Sequence, residues 1–189
     1  MKKGFIALAT LLFIFSANVV LAQRGPAASP TTTVSQMIGN TEMTLVYSRP
    51  SLDGRSLETL APKGQVWRTG ANANTKISFS KEVTIGGQKL PAGEYSMYSI
   101  PGDNEWTIII NKAKVWGTNY DESQDVIRFK AKATKTANSV ETFYIMMQDF
   151  DKNNKNKATI ELAWGNTSVK FPIEVTNYCL GQYFGEISD

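Results

Sequence analysis

Residues 83–111, VTIGGQKLPAGEYSMYSIPGDNEWTIIIN, determine the fold class of this 189-residue chain. Gly86-Gly87 separates two short runs rich in β-branched and apolar residues, and such a dipeptide is typical of a two-residue hairpin turn. Pro91-Ala92-Gly93 and Pro101-Gly102-Asp103-Asn104 are further turn signals, and each precedes a run rich in aromatic or β-branched residues. The stretch therefore predicts consecutive antiparallel strands with short connections.

The same pattern continues on both sides of this stretch. Gly39-Asn40 predicts a hairpin, and so does Gly165-Asn166. Glu141–Asp149 is apolar on both faces, which is typical of a central strand. Only Leu57–Leu60 and the residues around Glu122 favour a helical turn. The strands predicted outside residues 83–111 are Thr32–Ile38, Thr41–Tyr47, Thr75–Ser80, Val126–Thr134, Glu141–Asp149, Ala158–Trp164 and Thr167–Thr176.

These patterns predict an all-β fold, an antiparallel β-sandwich or barrel of about ten short strands with one long loop. Alternation along the strands predicts that Ile108, Phe129, Ile145 and Leu162 are buried. Pro172 lies inside the last predicted strand, so that strand is expected at an edge or at a bulge.

The amino terminus has the three parts of a secretory signal. Lys2 and Lys3 precede an apolar run, and Val20-Leu21-Ala22 suits a signal peptidase. We therefore expect residues 1–22 to be a signal peptide and residues 23–30 a flexible leader. A single β domain over 31–176 and an irregular tail over 177–189 would follow. The mature protein is expected in the periplasm or secreted, with no membrane span left after cleavage.

Composition excludes several classes of function. Loss of Lys2 and Lys3 with the signal lowers the formal charge from +3 to +1, which leaves no electrostatic footprint for nucleic acid. The chain has no histidine, and Cys179 is its one cysteine. A Ser-His-Asp triad, a Cys-His pair, a histidine-built metal site and an intrachain disulfide are therefore impossible. No cofactor and no metal is predicted.

Two acidic clusters are candidate sites of weaker specificity. Asp149, Asp151 and Asn153 match the first positions of a calcium-binding loop, but the glycine and glutamate that such a loop requires are missing. An ordinary polar turn is the better interpretation there. Asp121, Glu122 and Asp125 could supply the carboxylate pair of a glycoside hydrolase.

The long segment between the second and third predicted strands carries the main candidate site. Connections of this length are usually functional or disordered, and this one is rich in arginine, tryptophan and asparagine. Arginine forks bind anions, tryptophan offers a stacking face, and asparagine both donates and accepts hydrogen bonds. The alternative is that the arginines hold the loop together by bonding backbone carbonyls and carboxylates. The candidate ligand-binding residues are Tyr47, Arg49, Arg55, Trp67, Arg68, Asn72 and Asn74.

Several motifs of this chain resemble those of one bacterial family. They include Tyr47-Ser48-Arg49-Pro50, Val66-Trp67-Arg68-Thr69-Gly70-Ala71-Asn72, Leu90-Pro91-Ala92-Gly93-Glu94-Tyr95-Ser96 and Trp106-Thr107-Ile108. On these motifs the chain resembles an exported family common in Bacteroidota, domain of unknown function 2911 (DUF2911). The resemblance covers nearly all of the predicted mature chain. It implies export and a β-rich domain, and it implies no particular activity.

Three hypotheses about function follow. The first is an exported domain that binds an anionic or sugar-like ligand, either a small molecule or a glycan, through the 47–74 loop. The second is a histidine-free, carboxylate-dependent hydrolase or lyase acting on saccharides. The third is a protein-interaction module of the cell envelope that uses Trp67 or Trp116 as an exposed anchor.

Overall fold

A computed structural model describes residues 27–113, 119–152 and 155–176. Nine strands account for most of these residues, and the helical elements are the single turn α1 (Leu57–Leu60) and a 3-10 turn over Glu122–Gln124. Both helical turns lie where the sequence predicts them. The strands are β1 (Thr31–Ile38), β2 (Thr41–Ser48), β3 (Thr75–Phe79), β4 (Val83–Ile85), β5 (Gln88–Leu90), β6 (Gly93–Ile100), β7 (Glu105–Asn111), β8 (Asp125–Gln148) and β9 (Lys157–Val175).

All nine strands belong to one antiparallel sheet with the order β1-β2-β3-β6-β7-β8-β9-β4-β5. The sheet is open, with β1 and β5 as its outermost strands. Hairpins form at Gly39-Asn40 and Gly86-Gly87, as the turn residues predict, and Gly39, Gly86 and Gly87 all have positive φ. The predicted all-β class is confirmed, and the sheet does not close into a barrel.

The hairpin predicted at Gly165-Asn166 is wrong, because β9 runs through this dipeptide as one 19-residue strand. Gly165 has a φ of 57°, and the register with β8 shifts on both sides of the Val140–Gly165 pair. The glycine therefore serves a bulge in which the long strand changes direction, and a bulge uses the same residue type as a turn. The predicted strands Val126–Thr134 and Glu141–Asp149 likewise belong to one 24-residue strand, β8, which ends at Gln148.

The second half of β8 is fully buried on one face only, which corrects the two-sided burial expected for Glu141–Asp149. Phe143 and Ile145 are buried, whereas the side chain of Met146, the next residue along the strand, is 39% exposed. The neighbouring strand β7 pairs only with the first half of β8, from Asp125 to Lys132. Beyond this point β8 has a ladder partner on one side only, β9.

The core is formed by every second side chain along strands from both ends of the sheet. Tyr47 of β2 packs edge-on against Phe143 of β8, and Phe129 of β8 packs against Phe171 of β9. Of the four side chains predicted to be buried, Ile108, Ile145 and Leu162 are at most 1% exposed. Phe129 is only half-buried and packs against the edge of the core.

Pro172 lies where β9 changes its partner, between the last residue paired with β8, Val169, and the first paired with β4, Ile173. A residue without an N–H is tolerated there because no ladder bond is required. Within the described ranges, no helix has the length and apolar character needed to span a bilayer. The proposed signal peptide, the first half of the proposed leader, Trp116 and the tail with Cys179 lie outside the described residues.

Candidate anion-binding site

The end of β2 and the start of the connection to β3 run along the edge of β8 that has no strand partner. The Tyr47 hydroxyl donates to the Ile145 carbonyl at 3.0 Å and accepts from the Ile145 N–H at 2.9 Å. Arg49 Nε donates to the Phe143 carbonyl at 3.0 Å, and the Phe143 N–H donates to the Pro50 carbonyl at 2.9 Å. These groups supply the hydrogen bonds that a neighbouring strand would otherwise make.

The Trp-Arg-Thr-Gly-Ala-Asn motif is fixed to the sheet by its backbone. Trp67 and Ser99 exchange two backbone hydrogen bonds, at 2.7 and 2.9 Å. Thr69 has a φ of 53°, and its hydroxyl donates to Ser99 Oγ at 2.9 Å, while its carbonyl accepts from Thr75 Oγ1 at 2.7 Å. A Cβ on Gly70 would come within 3.0 Å of the Ser48 carbonyl oxygen, so a larger residue is disfavoured there. Arg68 is thus held between two anchored neighbours.

Trp67 is a core residue and not an exposed stacking surface. It is 9% exposed, stacks on Trp164 with ring centroids 5.6 Å apart, and packs edge-on against Trp106 and Phe143. The sequence-based proposals of Trp67 as an open platform for a ligand or as an exposed anchor for a partner protein therefore have little surface available. Its remaining exposed edge lines a cavity beside the loop.

That cavity, here called the arginine cavity, has a volume of about 340 Å³. Arg55 and Arg68 both line it, and none of its lining residues is an aspartate or a glutamate. Among the described residues, neither guanidinium forms an ion pair with a carboxylate. The other lining residues are apolar or uncharged: Ser29, Pro50, Leu60, Pro62, Gln65, Val66, Trp67, Gly70, Ala71 and Trp164.

The two arginines of the cavity retain most of their hydrogen-bonding capacity. Arg55 Nε donates to the Leu52 carbonyl at 2.9 Å and Nη2 to the Ser51 carbonyl at 3.1 Å, which orients the guanidinium and leaves three of its five N–H groups. The half-buried Arg68 guanidinium makes no hydrogen bond to any described residue. Within the described part of the chain, none of its donors is therefore occupied.

The other candidate residues have structural partners and do not line the arginine cavity. Tyr47 and Arg49 satisfy the edge of β8, and burial raises the pKa of the Tyr47 hydroxyl. Asn72, with a φ of 58°, donates to the Ser29 carbonyl at 3.1 Å. Asn74 is 4% exposed and donates to Ser96 Oγ at 2.5 Å. The structure thus brings together Arg55, Trp67 and Arg68 of the seven candidates.

A second and larger cavity, here called the polar cavity, includes Leu57 and Glu58 of α1 in its lining and has a volume of about 560 Å³. Arg55 lines this cavity as well. Its two acidic residues are Glu58 and Asp103, both exposed, and Asp103 is paired with Lys63 at 2.6 Å. Because both acidic side chains are exposed and Asp103 already has a lysine partner, the lining offers no buried pair of carboxyls for saccharide hydrolysis.

The acidic cluster around the 3-10 turn is occupied by internal contacts. Asp121 caps that turn by accepting from Ser123, and Glu122 pairs with Arg128. Asp125 accepts from Asn111 Nδ2 at 2.8 Å and from the Tyr120 hydroxyl at 2.6 Å. Burial, reinforced by the bond to Asp125, raises the pKa of Tyr120. Within the described residues, no group of acidic side chains and cysteines has the arrangement of a metal site.

Sequence reasoning did not find the lining residues that come from distant strands. Trp164 of β9 forms one wall of the arginine cavity, and Asn104 and Asn166 line the polar cavity from two other parts of the chain. Gln65 lies inside the loop, but it is not one of the residue types (arginine, tryptophan and asparagine) by which the sequence identified the loop as a candidate site. No local signal marks these residues, because only the sheet topology brings them to the loop.

The fold and this site define an all-β protein with an arginine-lined cavity beside a long, anchored loop. Residues 29–173 match the family described as "Protein of unknown function (DUF2911)", and the chain belongs to that family. This confirms the resemblance seen in the sequence motifs. No curated protein and no solved structure matches the chain.

Proposed function

We propose that this chain is an exported binding protein whose arginine cavity takes an anionic small molecule, with a carboxylate or a sugar acid as the preferred class. Export is supported by the signal-like residues 1–22, and binding by the state of Arg68. The backbone around Arg68 is fixed on both sides, yet its guanidinium has no partner among the described residues. This single contrast carries the proposal.

Holding an unpaired guanidinium in a fixed, half-buried position costs free energy. A positive charge that loses part of its hydration needs an anion or hydrogen-bond acceptors in return. Arg49 and Arg55 both donate to backbone carbonyls, whereas the Arg68 guanidinium has no such partner among the described residues. Arg55 and Arg68 face a common cavity without a carboxylate, so an external anion is the compensation that the site lacks.

The proposal is tested by measuring ligand-dependent melting temperature and calorimetric affinity for the purified chain. The panel contains glucuronate, galacturonate, citrate and inorganic phosphate, with glucose as the neutral comparison. Binding of an anion raises the melting temperature by mass action. Arg68→Gln should raise Kd by about 10- to 150-fold, since a hydrogen bond to a charged group contributes about 1.5–3 kcal/mol. It should leave the melting temperature of the free protein within about 2 °C of the wild type.

Arg128→Gln is the matched control, because Arg128 is paired with Glu122 and lines neither cavity. It should bind the anion with wild-type affinity. The proposal fails if no anion raises the melting temperature more than glucose does. It also fails if Arg68→Gln binds the anion as well as the wild type and Arg128→Gln do.

A further inference from the structure

We propose that the arginine cavity and the polar cavity form one bipartite site for an acidic saccharide. The carboxylate of a sugar acid would lie in the arginine cavity, and a neutral sugar unit joined to it would lie in the polar cavity. This inference rests on the proposed function and adds to it the class and the extent of the ligand.

Arg55 joins the two cavities, because its side chain lines both. The carbonyls of Ser51 and Leu52 hold Nε and Nη2, so the guanidinium is oriented before any ligand arrives. The three N–H groups that remain are enough to contact a carboxylate on one side and a hydroxyl on the other. A ligand that passes from one cavity to the other must therefore pass Arg55.

The chemistry of the polar cavity suits a neutral sugar. Asn104, Ser139 and Asn166 line it, and their side chains make no hydrogen bond to described residues. Amides and hydroxyls both donate and accept, as the hydroxyls of a sugar require. Apolar surface of Leu57 and Ala61 completes the lining. The volume of about 560 Å³ is in the range of small-molecule sites.

The distribution of charge determines which end of the ligand lies in which cavity. The arginine cavity has positive groups and no acidic lining residue. The side chains that line only the polar cavity include two acids, Glu58 and Asp103, and two lysines, Lys63 and Lys135, so their formal charges cancel, and Asp103 is paired with Lys63. A saccharide with one acidic end and one neutral end matches both compartments, whereas a polyanion matches only the first.

The experiment compares glucuronate, a set of glucuronate-terminated disaccharides of different linkage, and the corresponding neutral disaccharides by calorimetry. At least one acidic disaccharide should bind about 10-fold or more tightly than glucuronate, since it adds several hydrogen bonds in the polar cavity. The double variant Asn104→Ala/Asn166→Ala should remove that gain and leave glucuronate binding unchanged. Arg68→Gln should weaken both acids, and Gln36→Ala, at an exposed amide on β1, should weaken neither.

The two proposals fail in different ways. If Arg68→Gln weakens glucuronate but no acidic disaccharide exceeds it, or the double variant keeps the gain, the bipartite site is wrong and the anion site stands. The bipartite site is also wrong if short peptides with a free carboxyl terminus bind more tightly than every acidic disaccharide. If no acid binds in any arm, or Arg68→Gln changes nothing, both proposals are overturned.

Discussion

Replacing Tyr47 by phenylalanine tests the role that the structure gives to the start of the long loop. The hydroxyl donates to the Ile145 carbonyl and accepts from the Ile145 N–H, at 3.0 and 2.9 Å. Ile145 is 1% exposed, so both backbone groups would be left buried without a partner. Each unsatisfied group costs about 1–3 kcal/mol, and the pair should lower the free energy of unfolding by about 2–6 kcal/mol. For a domain of this size the melting temperature should fall by roughly 5–20 °C.

Urea denaturation monitored by tryptophan fluorescence gives this free energy, and hydrogen exchange at the Ile145 amide gives a local readout. Tyr95→Phe is the matched control, because the Tyr95 hydroxyl donates to the carbonyl of Pro91 in an exposed turn. It should cost less than about 1 kcal/mol. A loss below about 0.5 kcal/mol for Tyr47→Phe, with unchanged exchange at Ile145, would refute the reasoning. Anion binding by Tyr47→Phe should remain at the wild-type level.

Three further results are expected. Gly86→Ala should lower the free energy of unfolding in urea by about 2–4 kcal/mol, because φ at Gly86 is 57° and a Cβ would overlap the Phe129 ring. A Cβ at Gly87 would meet no neighbour, so Gly87→Ala should cost about half as much. The free energy of unfolding should be constant up to about pH 10 and fall at higher pH, because folding raises the pKa of several tyrosines and so disfavours their ionisation. These tyrosines are Tyr47, Tyr95, Tyr98, Tyr120 and Tyr144. Chemical denaturation across pH 9–12 that shows no decline in the free energy of unfolding would contradict this. Protein recovered from its native host should begin at Gln23, and an intact residue 1 in its mass spectrum would overturn the export prediction.

The parts of the fold that the sequence predicts are those encoded locally. Two-residue turns at Gly39-Asn40 and Gly86-Gly87 fix both hairpins, because positive φ and strand alternation are properties of neighbouring residues. Gly165-Asn166 has the same local signal and yet belongs to a bulge in β9. A turn and a bulge differ in which distant residues pair with the strand, and the local sequence does not show that pairing.

The candidate site was predictable as a set of residue types and not as an arrangement. Arginine, tryptophan and asparagine in a long loop pointed to a segment that lines the arginine cavity. Whether an arginine is structural or free depends on partners far along the chain: Arg49 bonds to Phe143, 94 residues away, whereas Arg68 bonds to no described side chain. The different roles of Arg49 and Arg68 therefore become visible only after β8 is placed beside the loop.

Both proposals require that Arg68 and Arg55 are kept for a ligand while the other arginines are not. Nitrogen–proton NMR spectra of the arginine Nε–H groups test this requirement directly. Each resonance can be assigned by substituting one arginine at a time, since the chain beyond residue 22 has only five: Arg24, Arg49, Arg55, Arg68 and Arg128. Titration with an anion that raises the melting temperature should shift the Arg68 and Arg55 resonances saturably, with one Kd. The Arg49 and Arg128 resonances should stay in place. An anion that binds without moving Arg68, or that moves all the arginines alike and without saturation, would contradict the proposed site.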